Sequence, residues 1–406
     1  MTKIQHTFNW LKDSAIQEFI SIFPSDSFMF TGGLIRDSLL NPNIYPQDVD
    51  IASTLSLNDN LTIAKKYNLK YIILSLNYET LRIIIQKTVF DITPLRKDIN
   101  AKGRHTEIEF VHSYQEDSDR RDFTINALYY NPHTKYLYDF HQGLQHIQAK
   151  QLYFIGNIQD RIKEDYLRIL RYFRFHAKIC TTKIDTNILK IFKEFKTKLQ
   201  ALSKERIVSE FLKIIFEKNL INTLISLTSS KIFNDFLYLS NQALKNLNIY
   251  LKNNYKIDNI NTFFILIIDD NNLNQIPFFI SRKNYKEVLT VKKIITFLFN
   301  TKQNNPIKLV SQYSLKDINK GIIIFNLLYQ KNIPLLQEYL LKDKSIETSE
   351  LQQIGYQNYQ LKPIINILIT KIYKNPLISK EELLNFAKKQ FSNLTSKIKY
   401  HKLQKV

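Results

Sequence analysis

Cysteine is almost missing from this chain of 406 residues, with Cys180 the sole example. That excludes an internal disulfide and any cysteine-rich metal site, and it points to a reducing cytoplasm. Long apolar runs are missing too. No stretch of about 18 apolar residues free of charge occurs, so no transmembrane helix is expected. The opening "MTKIQHTFNWLKDSAIQEFI" spaces apolar and polar residues at helical intervals and lacks the apolar core and cleavage site of a signal peptide. Glycine is scarce at seven residues, yet Gly32 and Gly33 are adjacent. Acidic residues are outnumbered, 37 against 57 basic ones, for a net charge of +20. Such a balance suits a polyanionic partner. It also follows from a Lys-, Asn- and Ile-rich composition, so charge alone leaves nucleic-acid binding open.

What is present reads as a globular protein of two to four domains, since 44% hydrophobic residues exclude wholesale disorder. Up to about residue 140 the pattern is mixed. "FMFTGG" and "DVDIAST" read as short strands around a helical "LIRDSLL". "LKYIILSL" reads as another strand, and the two apolar runs of "ETLRIIIQKTVFDIT" flank "QK" as a hairpin would. From about Asp160 the periodicity turns helical and stays so. The expected fold class is α+β, a head with a mixed sheet followed by an all-helical remainder. No fixed-period repeat is visible.

Asp48 and Asp50 fall at i and i+2 of one expected strand and so share a face. Two carboxylates that close repel, and a divalent cation is the usual way to keep both ionised. Oxygen-only ligation selects Mg²⁺ or Mn²⁺ over zinc. An isolated D-x-D is more often a solvated strand face, but here a strand runs into two glycines and then a helix. That geometry brings helix N-terminal N–H groups close to phosphate oxygens. Arg36, one turn in, adds a charge-assisted contact. Together these imply a nucleoside triphosphate over a metal. Asp91 in "VFDIT" is either a third carboxylate of this group or an ordinary polar residue at a strand edge.

A second constellation follows. "DRRDFTINALYYNP", Asp119 to Pro132, is expected to begin a helix with Arg121 and Asp122 in it. "RIKEDYLRILRYFRFHA" then sets Asp165, Arg168, Arg171 and Arg174 three residues apart. Helical neighbours at i and i+3 lie side by side, so Asp165 and Arg168 present an acceptor beside a donor fork. That pair matches C or A, whose amino group donates while the adjacent ring nitrogen accepts. G and U carry the opposite polarity, and buried polar groups left unpaired make their rejection large. The bland alternative is a salt bridge on a solvated helix.

The segments "GGLIRD…DVDIAS", "RRDFTINAL", "DFHQGLQHI", "IGNIQDRIKEDYLRILRYFRF" and "LSKERIVSEFLKI" run in order over about residues 28 to 215. In wording and spacing they resemble the bacterial class II tRNA nucleotidyltransferases, the CCA-adding enzymes, and their poly(A) polymerase relatives. The resemblance implies a seahorse-shaped enzyme, with a nucleotidyltransferase head over 1–140, a nucleotide-selecting neck over 141–215, a helical body over 216–310 and a tRNA-binding tail over 311–406. It implies that Asp48 and Asp50 hold two Mg²⁺ ions, and that Gly32, Gly33 and Arg36 face the triphosphate. Arg121 and Asp122 then lie near ribose and triphosphate, Asp165 and Arg168 read the base of CTP or ATP, and Arg171 and Arg174 contact the nucleotide. Glu164 orients this set, while Glu205 and Arg206 support the neck. The implied reaction is template-independent addition of C and A to the 3′ end of tRNA with release of pyrophosphate.

The chain departs from the family pattern in places. "NPNIYPQ", residues 41–47, is about two residues long for its position, and "NYETLRI" replaces a T-H-G-T run before the hairpin. Beyond about residue 215 the resemblance fades. "DITPLRKDINAKGRHTEIEF" resembles the flexible loop kept by enzymes that add the terminal A, with Arg96 and Asp98 at its start and Arg104 near its end. No basic G-R-R-F-x-L-x-H-V stretch of poly(A) polymerases is present, so poly(A) synthesis ranks second and an A-adding enzyme third. A non-catalytic RNA-binding protein ranks last, because neither the D-x-D nor the base-reading pair is lost. The lysine-rich "SKIKYHKLQKV" end suits tRNA phosphates.

Overall fold

The computed structural model describes residues 1–102, 105–268, 279–300, 309, 312–333, 335, 346–375 and 378–403. The chain divides into two compact units, Met1–Tyr238 and Leu239–Val406.

The first unit begins with β1 (Thr2–Gln5), α1 (Ser14–Ile22), β2 (Phe28–Thr31), α2 (Gly33–Leu40), β3 (Asp48–Ser53) and α3 (Leu57–Lys66). β4 (Lys70–Ser75), β5 (Thr80–Ile85) and β6 (Thr88–Pro94) follow, then a separate two-stranded ribbon of β7 (Arg96–Lys102) and β8 (His105–Phe110). After α4 (Tyr114–Asp119) come β9 (Leu128–Asn131), β10 (Tyr136–Asp139) and α5 (Gly143–Gln148). Eight strands form one sheet in the order β1-β10-β9-β2-β3-β6-β5-β4. Among the described strands only β3 and β6 pair in parallel. The alternation that marked β3 as a strand is visible in its burial, with Val49 and Ile51 packed away and Asp48 and Asp50 open to solvent. Phe19 of α1 stacks on Phe90 of β6 at 4.5 Å, and Phe28 and Phe30 close the same core.

The expected β5–β6 hairpin is present, turning at Gln86, whose φ is +54°. Two expectations change. The N-terminal segment starts as an edge strand, Thr2–Gln5 paired with β10, before becoming helical at Ser14. "DRRDFTINALYYNP" does not begin a helix: a loop and one turn of 3₁₀ helix lead directly into β9. Leu128, Tyr129 and Tyr130 favour a pleated, buried surface and lie at full burial mid-sheet, which overrides the helical spacing.

The helical continuation contains α6 (Ile158–Glu164), α7 (Leu167–Ile179), α8 (Thr186–Glu194), α9 (Lys204–Ile215) and α10 (Leu220–Ser230). The run through "DRIKEDYLRILRYFRF" is not one helix. Asp165 is extended at φ −153°, and its carboxylate accepts the Leu167 N–H at 3.1 Å, starting α7 anew. A short acidic side chain competes with the backbone in this way and so favours helix starts over interiors. The successive three-residue spacing therefore holds within α7 for Arg168, Arg171 and Arg174, and Asp165 stands just outside it.

The second unit is helical among the described residues: α11 (Asn241–Lys252), α12 (Ile260–Ile267), α13 (Arg282–Asn300), α14 (Leu315–Tyr329), α15 (Thr348–Ile354), α16 (Asn358–Lys374) and α17 (Lys380–Leu403). α12 is apolar almost all round and buried from Asn261 to Ile267, as such a helix must be. Gly321 lets α14 approach α13, since a Cβ there would collide with Ile294. No helix of the described residues is long and apolar enough to cross a membrane. The side chains of the lysine-rich C-terminal segment and Arg104 lie outside the described residues.

Candidate active site

Sheet register builds the floor of the site. β2 and β3 run antiparallel with Thr31 opposite Asp50, and β3 and β6 run parallel with Asp50 beside Asp91. The chain leaves β2 at Thr31 and must turn at once into α2. Gly32 makes that turn with φ +69° and ψ −129°, a conformation open essentially to glycine alone. A Cβ at Gly32 would lie 2.8 Å from Asp50 Oδ2. The doublet thus divides its labour: Gly32 permits the turn, and Gly33 opens α2, its N–H favouring the ionised Asp50 carboxylate.

Asp50 is reached by solvent yet surrounded by protein on most sides. This burial raises its carboxyl above the usual range, Asp91 adds to the rise, and Arg121 and Arg36 oppose it. Asp91 is held by both arms of Arg82, Nε and Nη2 each at 2.7 Å. No group of three His, Cys, Asp or Glu side chains fit to hold a metal occurs among the described residues. The acids of β3 on this floor, Asp48 and Asp50, are two hard oxygen groups on one face with no ion pair of their own among the described residues. That set fits a divalent ion of the Mg²⁺ type, which keeps water and takes substrate phosphate oxygens as its remaining ligands. Asp91 is a neighbour committed to Arg82.

A cavity of about 410 Å³ rises from this floor, lined among others by Gly32, Gly33, Arg36, Asp50, Arg121 and Asp122 and by Asp165, Arg168, Arg171 and Arg174. Two stretches far apart in sequence thus face one space. Arg36 is buried, with Nε on Asp37 at 2.7 Å and Nη1 on Asn126 Oδ1 at 2.6 Å. Lys178 of α7 reaches the same Asp37 at 2.8 Å, tying the helical wall to α2. Arg121 gives Nε to Tyr129 Oη at 2.8 Å and Nη1 to the Asn126 carbonyl. Burial works against its charge, but Tyr129, Asp117 and Asp50 hold it above the ordinary guanidinium range. Asp122 is also buried. Arg171 at 2.6 Å and Asn126 Nδ2 at 2.9 Å nevertheless hold its carboxyl below the usual range.

The expected base-reading pair is present in the cavity, each member anchored separately. Asp165 Oδ2 accepts from Arg206 of α9 at 2.7 Å. Arg168 bonds Glu164, gives Nη1 to the Arg161 carbonyl at 3.0 Å, and reaches the Arg120 carbonyl with Nη2 at 3.5 Å. Glu164 accepts from Arg161 as well. Arg174 pairs with Glu210 of α9 at 3.2 Å. Glu205 sits in the first turn of α9, away from the cavity lining. Arg96 opens β7.

Sequence reasoning passed over several residues. Asp117, 1% exposed, takes Arg120, Arg121 and the Tyr129 hydroxyl, and its carboxyl is held down at about 2. Its spacing of three and four from the two arginines was the available signal. Asn126 couples Arg36 to Asp122. Phe175 lies among three guanidiniums, Arg36 and Arg174 at 4.8 Å and Arg171 at 5.4 Å from its ring centre. Only tertiary packing brings those together.

Residues 28–153 match the family described as the poly A polymerase head domain, and residues 183–241 the one described as a probable RNA and SrmB-binding site of polymerase A. The CCA tRNA nucleotidyltransferase 1, mitochondrial, of Homo sapiens is 36% identical over 199 residues, covering 48% of this chain and 45% of that protein. The CCA-adding enzyme of Staphylococcus haemolyticus is 26% identical over 321 residues, 78% of each chain. The chain spans about half the length of the vertebrate relatives it matches. Among solved structures, the Bacillus stearothermophilus CCA-adding enzyme in complex with CTP superposes with a TM-score of 0.64 at 18% identity, covering 95% of this chain and 100% of that one. The Thermotoga maritima CCA-adding enzyme complexed with tRNA gives 0.62 at 19% identity, covering 94% and 97%. At these identities the superpositions establish a shared fold. Over residues 28–153 and 183–241 the chain carries the head and RNA-binding domains of the poly(A) polymerase family, and it is similar to CCA-adding enzymes.

Proposed function

We propose that this protein adds C and A nucleotides from CTP and ATP to the 3′ end of tRNA without a nucleic-acid template, restoring CCA. The observation that carries the reading is the single cavity joining Asp50, the α2 N-terminus and the Asp165–Arg168 wall. Its floor suits a triphosphate and its wall suits one base edge. Gly33 and Arg36 bind the phosphates, and Arg121 and Asp122 bound the sugar. Asp165 accepts from the amino group of C or A while Arg168, through the nitrogen least committed elsewhere, donates to the ring nitrogen. Arg206 and Glu164 keep the two side chains from pairing with each other. The nucleotide is thereby chosen by protein groups whose positions are set before it arrives.

Enzymes of this family use divalent metal ions. We assign two Mg²⁺ ions to Asp48 and Asp50; bound there, they supply activation of the RNA 3′-hydroxyl and charge compensation for departing pyrophosphate. We also retain the division into head, neck, body and tail at residues 140, 215 and 310, with tRNA held by the tail. The lone Cys180, buried with its thiol pushed up to about 12, suits the cytoplasm. Poly(A) synthesis is the second reading, favoured by the descriptions of both matching families.

Incubation with tRNA lacking CCA, ending in C and ending in CC separates these readings. Incorporation of CTP then ATP, stopping at CCA, is expected, with no use of GTP or UTP. Long A tails on unrelated RNA would overturn the first choice, and so would an Asp48→Ala protein that still incorporates CTP at a near-normal rate.

A further inference from the structure

A second cavity, of about 180 Å³, meets the first at Asp50, Arg120 and Arg121 and spreads the other way, past Asp91 and Thr93 of β6 to Arg96. Its charges are mostly committed. Asp91 is held by Arg82, and Asp117 by Arg120, Arg121 and Tyr129. Arg96 differs. Its Cζ lies 4.6 Å from the centre of the Tyr78 ring, yet its Nε and Nη1 are buried without a hydrogen-bond partner. Burial and the neighbouring Arg120 bring it down to about 10, so it remains cationic at neutral pH. A buried guanidinium with two unused donors is costly unless a ligand completes it. An anionic ligand suits this cation, because Asp117, an acid beside it, is already taken by Arg120 and Arg121.

Phosphate is the anion this chemistry offers, from either the nucleotide or the RNA. The first cavity, with Gly32, Gly33 and Arg36, already suits the triphosphate. In-line attack requires the acceptor hydroxyl to approach the α-phosphorus from the side opposite the leaving pyrophosphate. The second cavity is lined by residues of β3 and β6 and by no residue of α2. Resting on the proposed nucleotidyl transfer, we propose that this second cavity receives the 3′-terminal nucleotide of the RNA, and that Arg96 pairs with the phosphodiester on its 5′ side.

The test is a chemical double-mutant cycle. A 5′-labelled tRNA ending in CC binds wild-type, Arg96→Gln and Arg96→Lys proteins in EDTA, with CTP affinity measured alongside. Arg96→Gln should weaken RNA binding roughly ten- to a hundred-fold, the span of a charge-assisted hydrogen bond, and leave CTP binding unchanged. Arg96→Lys should lose less. An acceptor whose last phosphodiester is a neutral methylphosphonate should bind wild type as weakly as normal RNA binds Arg96→Gln, and the two changes together should cost no more. Multiplying penalties overturn the proposal. So does an Arg96→Gln protein that binds RNA normally, or one that loses CTP or pyrophosphate instead. If Arg96→Gln fails to fold, the methylphosphonate penalties of wild type and Arg96→Lys decide: equal penalties support the pairing, and no penalty in either removes it. Failure of the wild type to extend any RNA would instead sink the enzymatic reading, whatever Arg96 does.

Discussion

Replacing Gly32 by alanine tests the floor of the site with a single methyl group. Gly32 holds φ +69° with ψ −129°, where a side chain costs about 1–3 kcal/mol. The added Cβ would sit 2.8 Å from Asp50 Oδ2, and ordinary contact begins at 3.4 Å, so 3.4 − 2.8 leaves about 0.6 Å to be found by moving the turn or the carboxylate. Misplacing a reacting group by about 1 Å costs about a hundred-fold, so turnover should fall roughly ten- to a hundred-fold. Gly33→Ala is the matched control. Its Cβ meets only Arg36 Nη2 at 3.7 Å, at the first residue of α2, where alanine should add about 0.4–1 kcal/mol. Urea denaturation and single-turnover CTP incorporation read both quantities. The two neighbouring glycines should move stability in opposite directions. If Gly32→Ala proves no less stable than wild type, or Gly33→Ala as harmful as Gly32→Ala, the account of the doublet is wrong.

Asp50→Asn should abolish incorporation while leaving the denaturation midpoint of the metal-free protein unchanged or higher, because the carboxylate is disfavoured there by burial and by Asp91; a lower midpoint would contradict this. Asp117→Asn leaves Arg120 and Arg121 short of a buried partner and should cost roughly 3 kcal/mol by chemical denaturation. The native carboxyl lies below its unfolded value, so that stability is present above pH 3.8 and disappears as pH falls toward 2. His176, buried against Thr223 Oγ1 at 2.8 Å, is lowered by burial from 6.5 to about 4. Folding then favours the neutral ring: its stability is intact above pH 6.5 and falls as pH drops through that value, by about 2 kcal/mol at pH 5. His176→Gln should flatten the pH dependence between 7 and 5, and an unchanged slope would refute the assignment.

Local order was readable without a structure wherever burial and periodicity agreed. The alternation of "DVDIAS" marked β3, and the apolar runs around "QK" marked the β5–β6 hairpin, because a strand with one buried face writes period two into its residues. Order failed where tertiary contacts outvoted spacing. "ALYYNP" became a mid-sheet strand because its aromatic rings are buried there, and the neck run broke at Asp165 because a carboxylate capped the next helix. The D-x-D and the Asp165–Arg168 pair, proposed here as metal ligands and base readers, were visible in the chain because motif spacing is a local property.

What the linear chain could not supply was register and mutual anchoring. That Asp50 lies beside Asp91, and that Asp91 belongs to Arg82, depends on pairing between strands some 40 residues apart, for which no short-range pattern exists. Likewise Arg206 on Asp165, Asn126 between Arg36 and Asp122, and three guanidiniums around Phe175 join segments far apart in the chain and arise only on folding. Residue type and spacing limit which groups are able to do the chemistry. Tertiary structure decided which of them are bound to one another and which, like the two nitrogens of Arg96, still await a partner, because a hydrogen bond is a matter of a few ångströms and the chain brings its distant parts that close only by folding.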